Sequence, residues 1–280
     1  MSLPLPAILT HLRLNGAPPA PTLPYLNRLL LAWAMHIPWE SASRIARHQQ
    51  PGAPADYARL PEAFFADALR LGTGGTCFES NLALKAVLDA IGFHSTLALC
   101  DMTTKTIEPH CALIVTLEGT RYLADVGYPI PTALPLDPDV STSVATPVYD
   151  YHAAPVAADR WLVRRTSRQF EQISFWVNST PVDPERFHAR LLRDHAPDGL
   201  FLDEVIIQKL RGGQFWRYSE DKGLVRRTVG REEPVHLAVT AARPLPKLLS
   251  DIFGMDRRVI ESALSRTPPD GVWPPDNVWT

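Results

Sequence analysis

The chain has 280 residues, 45% of them hydrophobic and 21% charged, with a formal net charge of −2. This is globular composition, enough for one large domain or two to three small ones, and it excludes a strongly basic nucleic-acid binder or a chain drawn to anionic membranes. Three cysteines, at 77, 100 and 111, form no CxxC pair, so neither a disulfide framework nor a metal site is expected, and a reducing cytoplasm is the natural setting.

The opening Met1-Ser2-Leu3-Pro4-Leu5-Pro6 has no basic run and no apolar core of signal length. The apolar run at 29–37 is too short to span a membrane and contains His36. Twenty-seven prolines predict many loops rather than one long helical array.

A short helix is expected from Pro4 to Leu14, broken by Asn15-Gly16-Ala17-Pro18-Pro19. A second runs from about Tyr25 to Met35, with Leu26, Leu29, Leu30 and Trp33 at helical spacing. Pro38 ends it by disfavouring helical geometry at Ile37. Residues 49–57 read as a Pro/Gly/Ala-rich loop, and Pro61–Leu71 as a helix with proline in its first turn.

The stretch Thr73-Gly74-Gly75-Thr76-Cys77-Phe78-Glu79-Ser80-Asn81 follows. Thr76 and Glu79 have capping-box spacing, so a helix should start at Cys77 and stop at Gly92. That puts a thiol in a first turn, where unpaired N–H groups and the dipole favour a thiolate. The glycines allow close approach to the sulfur. Considered singly, Cys77 fits a buried inert thiol as well as a nucleophile.

Beyond Gly92 the pattern becomes antiparallel β. His110–Leu117 is a strand, Glu118-Gly119-Thr120 a hairpin turn, and Arg121–Pro129 the returning strand. Trp161–Arg165 and Phe170–Val177 continue the sheet, which reads as a barrel. A helix is expected at Pro184–Arg193, two strand-like runs between Phe201 and Val225, and helices at Leu245–Phe253 and near Asp256–Ser265. Thr267–Thr280 reads as an extended tail.

His110 opens one strand and Asp125 lies on its partner, in an apolar setting where an unpaired carboxylate is costly. A Cys–His–Asp set needs an attacking thiol, an imidazole base and a carboxylate that fixes the imidazole tautomer. Asp125 also fits a turn cap before Gly127, and His110 a plain strand-end histidine.

These residues together resemble the arylamine N-acetyltransferase family. Its Arg-Gly-Gly-x-Cys-Phe-Glu-x-Asn motif is matched by residues 73–81, its histidine and following apolar strand by His110–Val115, and its Leu-x-Asp-Val-Gly-Phe-Gly run by residues 123–129. Its Ile-Pro-Phe-Glu-Asn signature is matched by Ile37-Pro38-Trp39-Glu40-Ser41. The match is specific through Asp125 and looser downstream. The resemblance implies an α+β chain with a cysteine-proteinase-like triad arrangement. A helical bundle (1–95) would carry Cys77, an antiparallel β-barrel (96–200) would carry His110 and Asp125, and an α/β lid (201–280) would follow.

It also implies ping-pong transfer of an acetyl group from acetyl-CoA, through a Cys77 thioester, to an arylamine, arylhydrazine or arylhydroxylamine, with no metal. Trp39 and Tyr128 match positions near the acceptor pocket, and Gly127 and Thr76 join them as expected substrate-binding residues. Three departures stand out: Thr73 replaces the motif arginine, Ser41 the asparagine and Pro129 the second glycine. They motivate a second reading, an amide synthase or acyltransferase of secondary metabolism fed by another acyl thioester, including an acyl carrier protein. A cysteine hydrolase and a binding protein with a relic site complete the set.

Overall fold

The structure, a computed structural model, describes residues 3–103, 108–167 and 170–266, with the backbone alone at 170–173. The expected tail at Thr267–Thr280 lies outside the described residues.

The chain begins with α1 (Leu5–His11), α2 (Leu23–His36), a short strand β1 (Trp39–Glu40), α3 (Ala42–His48), α4 (Pro54–Tyr57), α5 (Pro61–Leu71) and α6 (Cys77–Ile91). Thr22 caps α2, its hydroxyl accepting from Tyr25 N, and Ile37 before Pro38 leaves the helix in extended geometry. Gly72 and Gly92 end α5 and α6 in left-handed conformation. Leu26, Leu29, Leu30 and Trp33 form the buried face of α2. Trp33 stacks on Phe64 at 6.0 Å and meets Phe65 edge-on at 5.9 Å. Each such side chain, fully buried, contributes about 1.5–3 kcal/mol.

Two short helices depart from expectation. The stretch read as loop at 49–57 contains α4, opened by Pro54 and fastened where Asp56 accepts from Ala53 N at 2.8 Å. In α3 the buried face carries Arg44 beside Ala42, Ser43 and Ile45, so no apolar period marks it.

Eight strands follow: β2 (His94–Asp101), β3 (His110–Leu117), β4 (Thr120–Ala124), β5 (Leu134–Pro135), β6 (Thr142–Ala145), β7 (Asp150–Ala157), β8 (Arg160–Ser167) and β9 (Phe170–Asn178). They form one antiparallel sheet in the order β5-β4-β3-β2-β9-β8-β7-β6. Its two ends are neighbours in sequence, and the sheet curls into the expected, nearly closed barrel. Trp161, Val163, Tyr151, Phe175 and Val177 fill its interior.

The returning strand of the hairpin stops at Ala124, short of the expected Pro129. The Asp125 carboxylate accepts from Gly127 N and Tyr128 N, both at 2.9 Å, which turns the chain away from the sheet.

After α7 (Pro184–Asp194) come β10 (Ile206–Arg211), β11 (Gln214–Ser219), β12 (Gly223–Thr228) and β13 (Arg231–Pro234), then α8 (Leu245–Phe253) and α9 (Arg257–Leu264). The region expected to hold two strand-like runs therefore holds three strands by Thr228, with a fourth beyond. The turns at Gly212-Gly213 and Asp221–Gly223 join them. The second sheet has the order β1-β10-β11-β12-β13, so its first strand comes from residues 39–40. Its core joins Ile207, Tyr218, Leu249, Phe253 and Ile260 to Ala42 and Ile45 of α3. The first and last parts of the chain are thus interlocked.

Candidate active site

Cys77 is the first residue of α6, as the spacing predicted, but not through a capping box. Thr76 makes no side-chain cap. Its hydroxyl accepts from Arg44 at 3.1 Å, while Glu79 is held by Arg59, Arg47 and His195. Arginines and a histidine brought from elsewhere in the fold outcompete the local cap.

The glycines also act differently from expectation. A Cβ on Gly74 would lie 1.7 Å from Pro38 O, and one on Gly75 2.8 Å from Glu79 Oε2. They let the loop press against β1 and the ion network. Gly127 is the glycine that approaches the cysteine: a Cβ there would fall 2.5 Å from both Cys77 Cα and Cβ.

The structure brings Cys77, His110 and Asp125 together. Cys77 Sγ is 3.9 Å from the carbonyl of Pro109, the residue before His110. His110 Nε2 lies 2.7 Å from Asp125 Oδ2. All three are buried, Asp125 completely. Burial opposes charge on the imidazole. The Asp125 carboxylate, its hydrogen bond, and the neighbouring Cys77 side chain outweigh this and raise His110 to about 10. Phe175 packs edge-on against the ring at 5.2 Å.

Asp125 serves both readings that the sequence left open. One oxygen meets His110, and the other accepts from Gly127 N, Tyr128 N and Asn81 Nδ2. Asn81, one turn along α6 from Cys77, also donates to Cys111 O at 2.8 Å and accepts from Val126 N at 3.1 Å. It ties α6 to the Asp125 turn. Its motif position was visible in the sequence; its role as a brace was not. Cys100 and Cys111 are buried free thiols, and burial pushes both well up.

Behind Cys77 lies a buried ionic network that pattern reading did not find. Glu79 Oε2 accepts from Arg59 at 2.7 Å, and Oε1 from Arg47 at 2.9 Å. Burial alone would raise the Glu79 carboxyl, but Arg47, Arg59 and a hydrogen bond from His195 hold it well below its ordinary value. Arg59 also donates to Thr73 Oγ1 at 3.3 Å and Gly74 O at 2.5 Å. A guanidinium therefore sits beside the position where the motif has arginine, delivered from residue 59. Arg44, fully buried, pairs with Asp194 at 2.6 Å and so links α3, α6 and the end of α7.

The other departures have local partners. Glu40 accepts from Ser43 N at 2.7 Å and Ser43 Oγ at 2.6 Å. Ser41 Oγ donates to Glu204 O at 2.7 Å and accepts from Ile206 N at 2.8 Å. Pro129 lines a narrow void of about 10 Å³, room for roughly one water, with Trp33, Ile37, Trp39 and Val126.

Of the four expected substrate-binding residues, Thr76 is fully buried and engaged with Arg44, and Gly127 abuts the Cys77 backbone. Trp39 packs edge-on against Phe201 at 5.0 Å, and Tyr128 against Phe175 at 5.2 Å and His110 at 6.3 Å. Trp39 Nε1 and Tyr128 Oη are both buried without a hydrogen-bond partner among the described residues.

The N-acetyltransferase family model matches residues 22–258. No curated protein sequence is a significant match. The fold is similar to the arylamine N-acetyltransferase of Mycobacterium abscessus (21% identity, TM-score 0.75, covering 95% of this chain and 96% of that one). It is similar also to that of Mycobacterium marinum solved in complex with CoA (21%, 0.77, 93% and 98%) and to that of Salmonella typhimurium (20%, 0.76, 93% and 97%). Among the described residues no helix is long and apolar enough to cross a membrane, and no cluster of side chains is suited to a metal ion. The family match over most of the chain, with the fold and the helix-start cysteine beside a histidine–aspartate pair, makes this chain a member of the arylamine N-acetyltransferase family.

Proposed function

We propose that the protein transfers an acetyl group from acetyl-CoA to an arylamine, arylhydrazine or arylhydroxylamine through a Cys77 thioester. The observation that carries this reading is Cys77 at the first turn of α6 beside an imidazole that Asp125 holds at 2.7 Å. An imidazolium favours a thiolate beside it, and the thiolate is the attacking species. Cys77 attacks the thioester carbonyl, the CoA thiolate leaves, and exchange of one thioester for another is nearly isoenergetic. His110 protonates the departing thiolate and then takes a proton from the incoming amine. The Cys77 backbone N–H, unpaired within its helix by position, would stabilise the oxyanion. Trp39 and Tyr128 offer aromatic faces and free polar atoms to the acceptor, while Thr76 and Gly127 shape the wall around the nucleophile. The cytoplasm, with its CoA supply and reducing poise, suits three free thiols.

The test is intact-mass analysis after incubation with acetyl-CoA and with longer acyl thioesters, including an acyl carrier protein. Acetylation of wild type at Cys77, with none in Cys77→Ala, and product release on adding an arylamine are expected. Labelling by a longer acyl group but not by acetyl would overturn the acetyl assignment, and turnover indifferent to added amine would make the protein a hydrolase. Loss of activity in Cys77→Ala should exceed about 10³-fold.

A further inference from the structure

The chain has five lysines, four of them among the described residues, and one is set apart by its surroundings. Lys85 pairs with Asp89 at 2.9 Å, Lys247 with Asp251 at 2.5 Å, and Lys222 is exposed next to Asp221. Lys209 of β10 has no carboxylate partner among the described residues. It donates instead to a neutral acceptor, the Phe253 carbonyl at the end of α8, at 2.9 Å. A carboxylate favours the charged form of an amine far more than a carbonyl does.

The groups around Lys209 are cationic or can become so. Arg211 stands two positions along β10 on the same face, Arg13 follows α1, and His11 and His36 close α1 and α2. Burial, then Arg211 and Arg13, bring the Lys209 amine down from 10.5 to about 8. Burial, then Lys209, Arg13 and His11, bring His36 down to about 4. Burial and Lys209 lower His11 against a hydrogen bond to the His36 backbone.

Lys209 shares the strand face of Ile207, which packs on Leu249 and Phe253, whereas Leu210 on the other face joins the barrel core. The amine therefore looks away from the triad. It is half-buried rather than enclosed. Gly254, beside its carbonyl partner, lines an open groove of about 420 Å³ with His11, Arg70, Gly72, Met255 and Asp256. A Cβ on Gly254 would touch Lys209 Nζ at 3.6 Å, so the glycine leaves room beside the amine.

A lysine deprived of its proton by burial and neighbouring cations is a nucleophile near neutral pH. We propose that Lys209 is an acylation site, its amine taking an acyl group directly from a small acyl thioester such as acetyl-CoA. The neutral Nζ attacks the thioester carbonyl, a C–N bond forms as the C–S bond breaks, and the departing thiolate takes the proton that the nitrogen sheds. The product is an uncharged amide. Neither Cys77 nor an acceptor amine takes part, so the proposal stands apart from the transfer reading above.

The test incubates Cys77→Ala and wild-type protein with acetyl-CoA between about pH 6.5 and 10 and follows each lysine by peptide mass spectrometry. Hydroxylamine cleaves a Cys77 thioester and spares an amide, so acetylation at the two places is counted separately. In both proteins Lys209 should react at least tenfold faster than Lys85 and Lys247 at about pH 7.5. Its rate should level off above about 8 while theirs keep climbing. Lys209→Arg, which keeps a donor and the charge, should lose this fast site and no other. Trace labelling with acetic anhydride should give the same order and the same midpoint. Equal rates for the three lysines, or a Lys209 rate still climbing with theirs, would overturn the proposal. So would labelling by the anhydride but not by acetyl-CoA. Acetylation of Lys209 in wild type but not in Cys77→Ala would also sink it, by making the amide a by-product of the Cys77 thioester.

Discussion

One carboxylate at Asp125 orients an imidazole with one oxygen and closes a turn with the other. Asp125→Asn should therefore impair two functions at once. The amide either presents N–H to His110 and imposes the wrong tautomer, or loses the acceptor that receives Gly127 N and Tyr128 N. Activity should fall on the order of 10³–10⁴-fold, as for other triad carboxylates, and thermal melting should show a lowered Tm.

Gly127→Ala is the sharpest steric test, because its Cβ would fall 2.5 Å from Cys77 Cα and Cβ. A stability loss of about 1–3 kcal/mol in urea unfolding and, on the proposed mechanism, a steep fall in kcat are expected, since Cys77 must move. At this scale the clustering of Cys77, His110 and Asp125 was legible, because a thiol at a helix start and a carboxylate in apolar surroundings each carry a local signal. Gly74 and Gly75 were visible but misassigned: their contacts, Pro38 and Glu79, depend on tertiary placement.

At the level of elements, α6 is held by partners whose sequence neighbourhoods give no hint of it. Arg59 stands between Ala58 and Leu60 in an unremarkable connection, yet it reaches Glu79, Gly74 and Thr73. Arg44 lies on the inner face of α3, where a charged residue reads as solvated until the fold buries it. Residue 73 can be threonine because guanidinium arrives from residue 59. Arg59→Met should cost about 3–5 kcal/mol by chemical denaturation, since it removes a main partner of a buried carboxylate, with activity falling as α6 loosens. Long periodic helices such as α5 and α6 matched their expected bounds because their glycine stops and proline start are local. The one-turn α4, the polar-faced α3 and the strands β5 to β7 were missed because tertiary pairing, not periodicity, defines them.

For the whole molecule, two buried groups set a pH window. His110, raised from 6.5 to about 10, contributes stability that is complete below pH 6.5 and is lost as pH rises through about 10. Glu79, lowered from 4.5, contributes stability that is present above pH 4.5 and lost as pH falls. Tm should therefore peak between about pH 4.5 and 6.5 and decline on both sides. Asp125→Asn should flatten the alkaline limb, and Arg59→Met the acid limb. If both variants kept the wild-type profile, other groups would be responsible.

Strand β1 adds a constraint in time. Its Glu40 N reaches Gly75 O at 3.4 Å on one side, and on the other Trp39 and Glu40 pair with β10, while Ser41 bonds a carbonyl 163 positions away. During synthesis the cysteine and both its partners emerge long before β10 does. The edge that the loop in front of Cys77 leans on, β1, therefore lacks its own partner strand until the last quarter of the polypeptide begins to leave the ribosome. A nascent or truncated chain ending before residue 206 would carry Cys77, His110 and Asp125 with β1 still unpaired, so the loop ahead of Cys77 would gain its full support only late, among the final events of assembly.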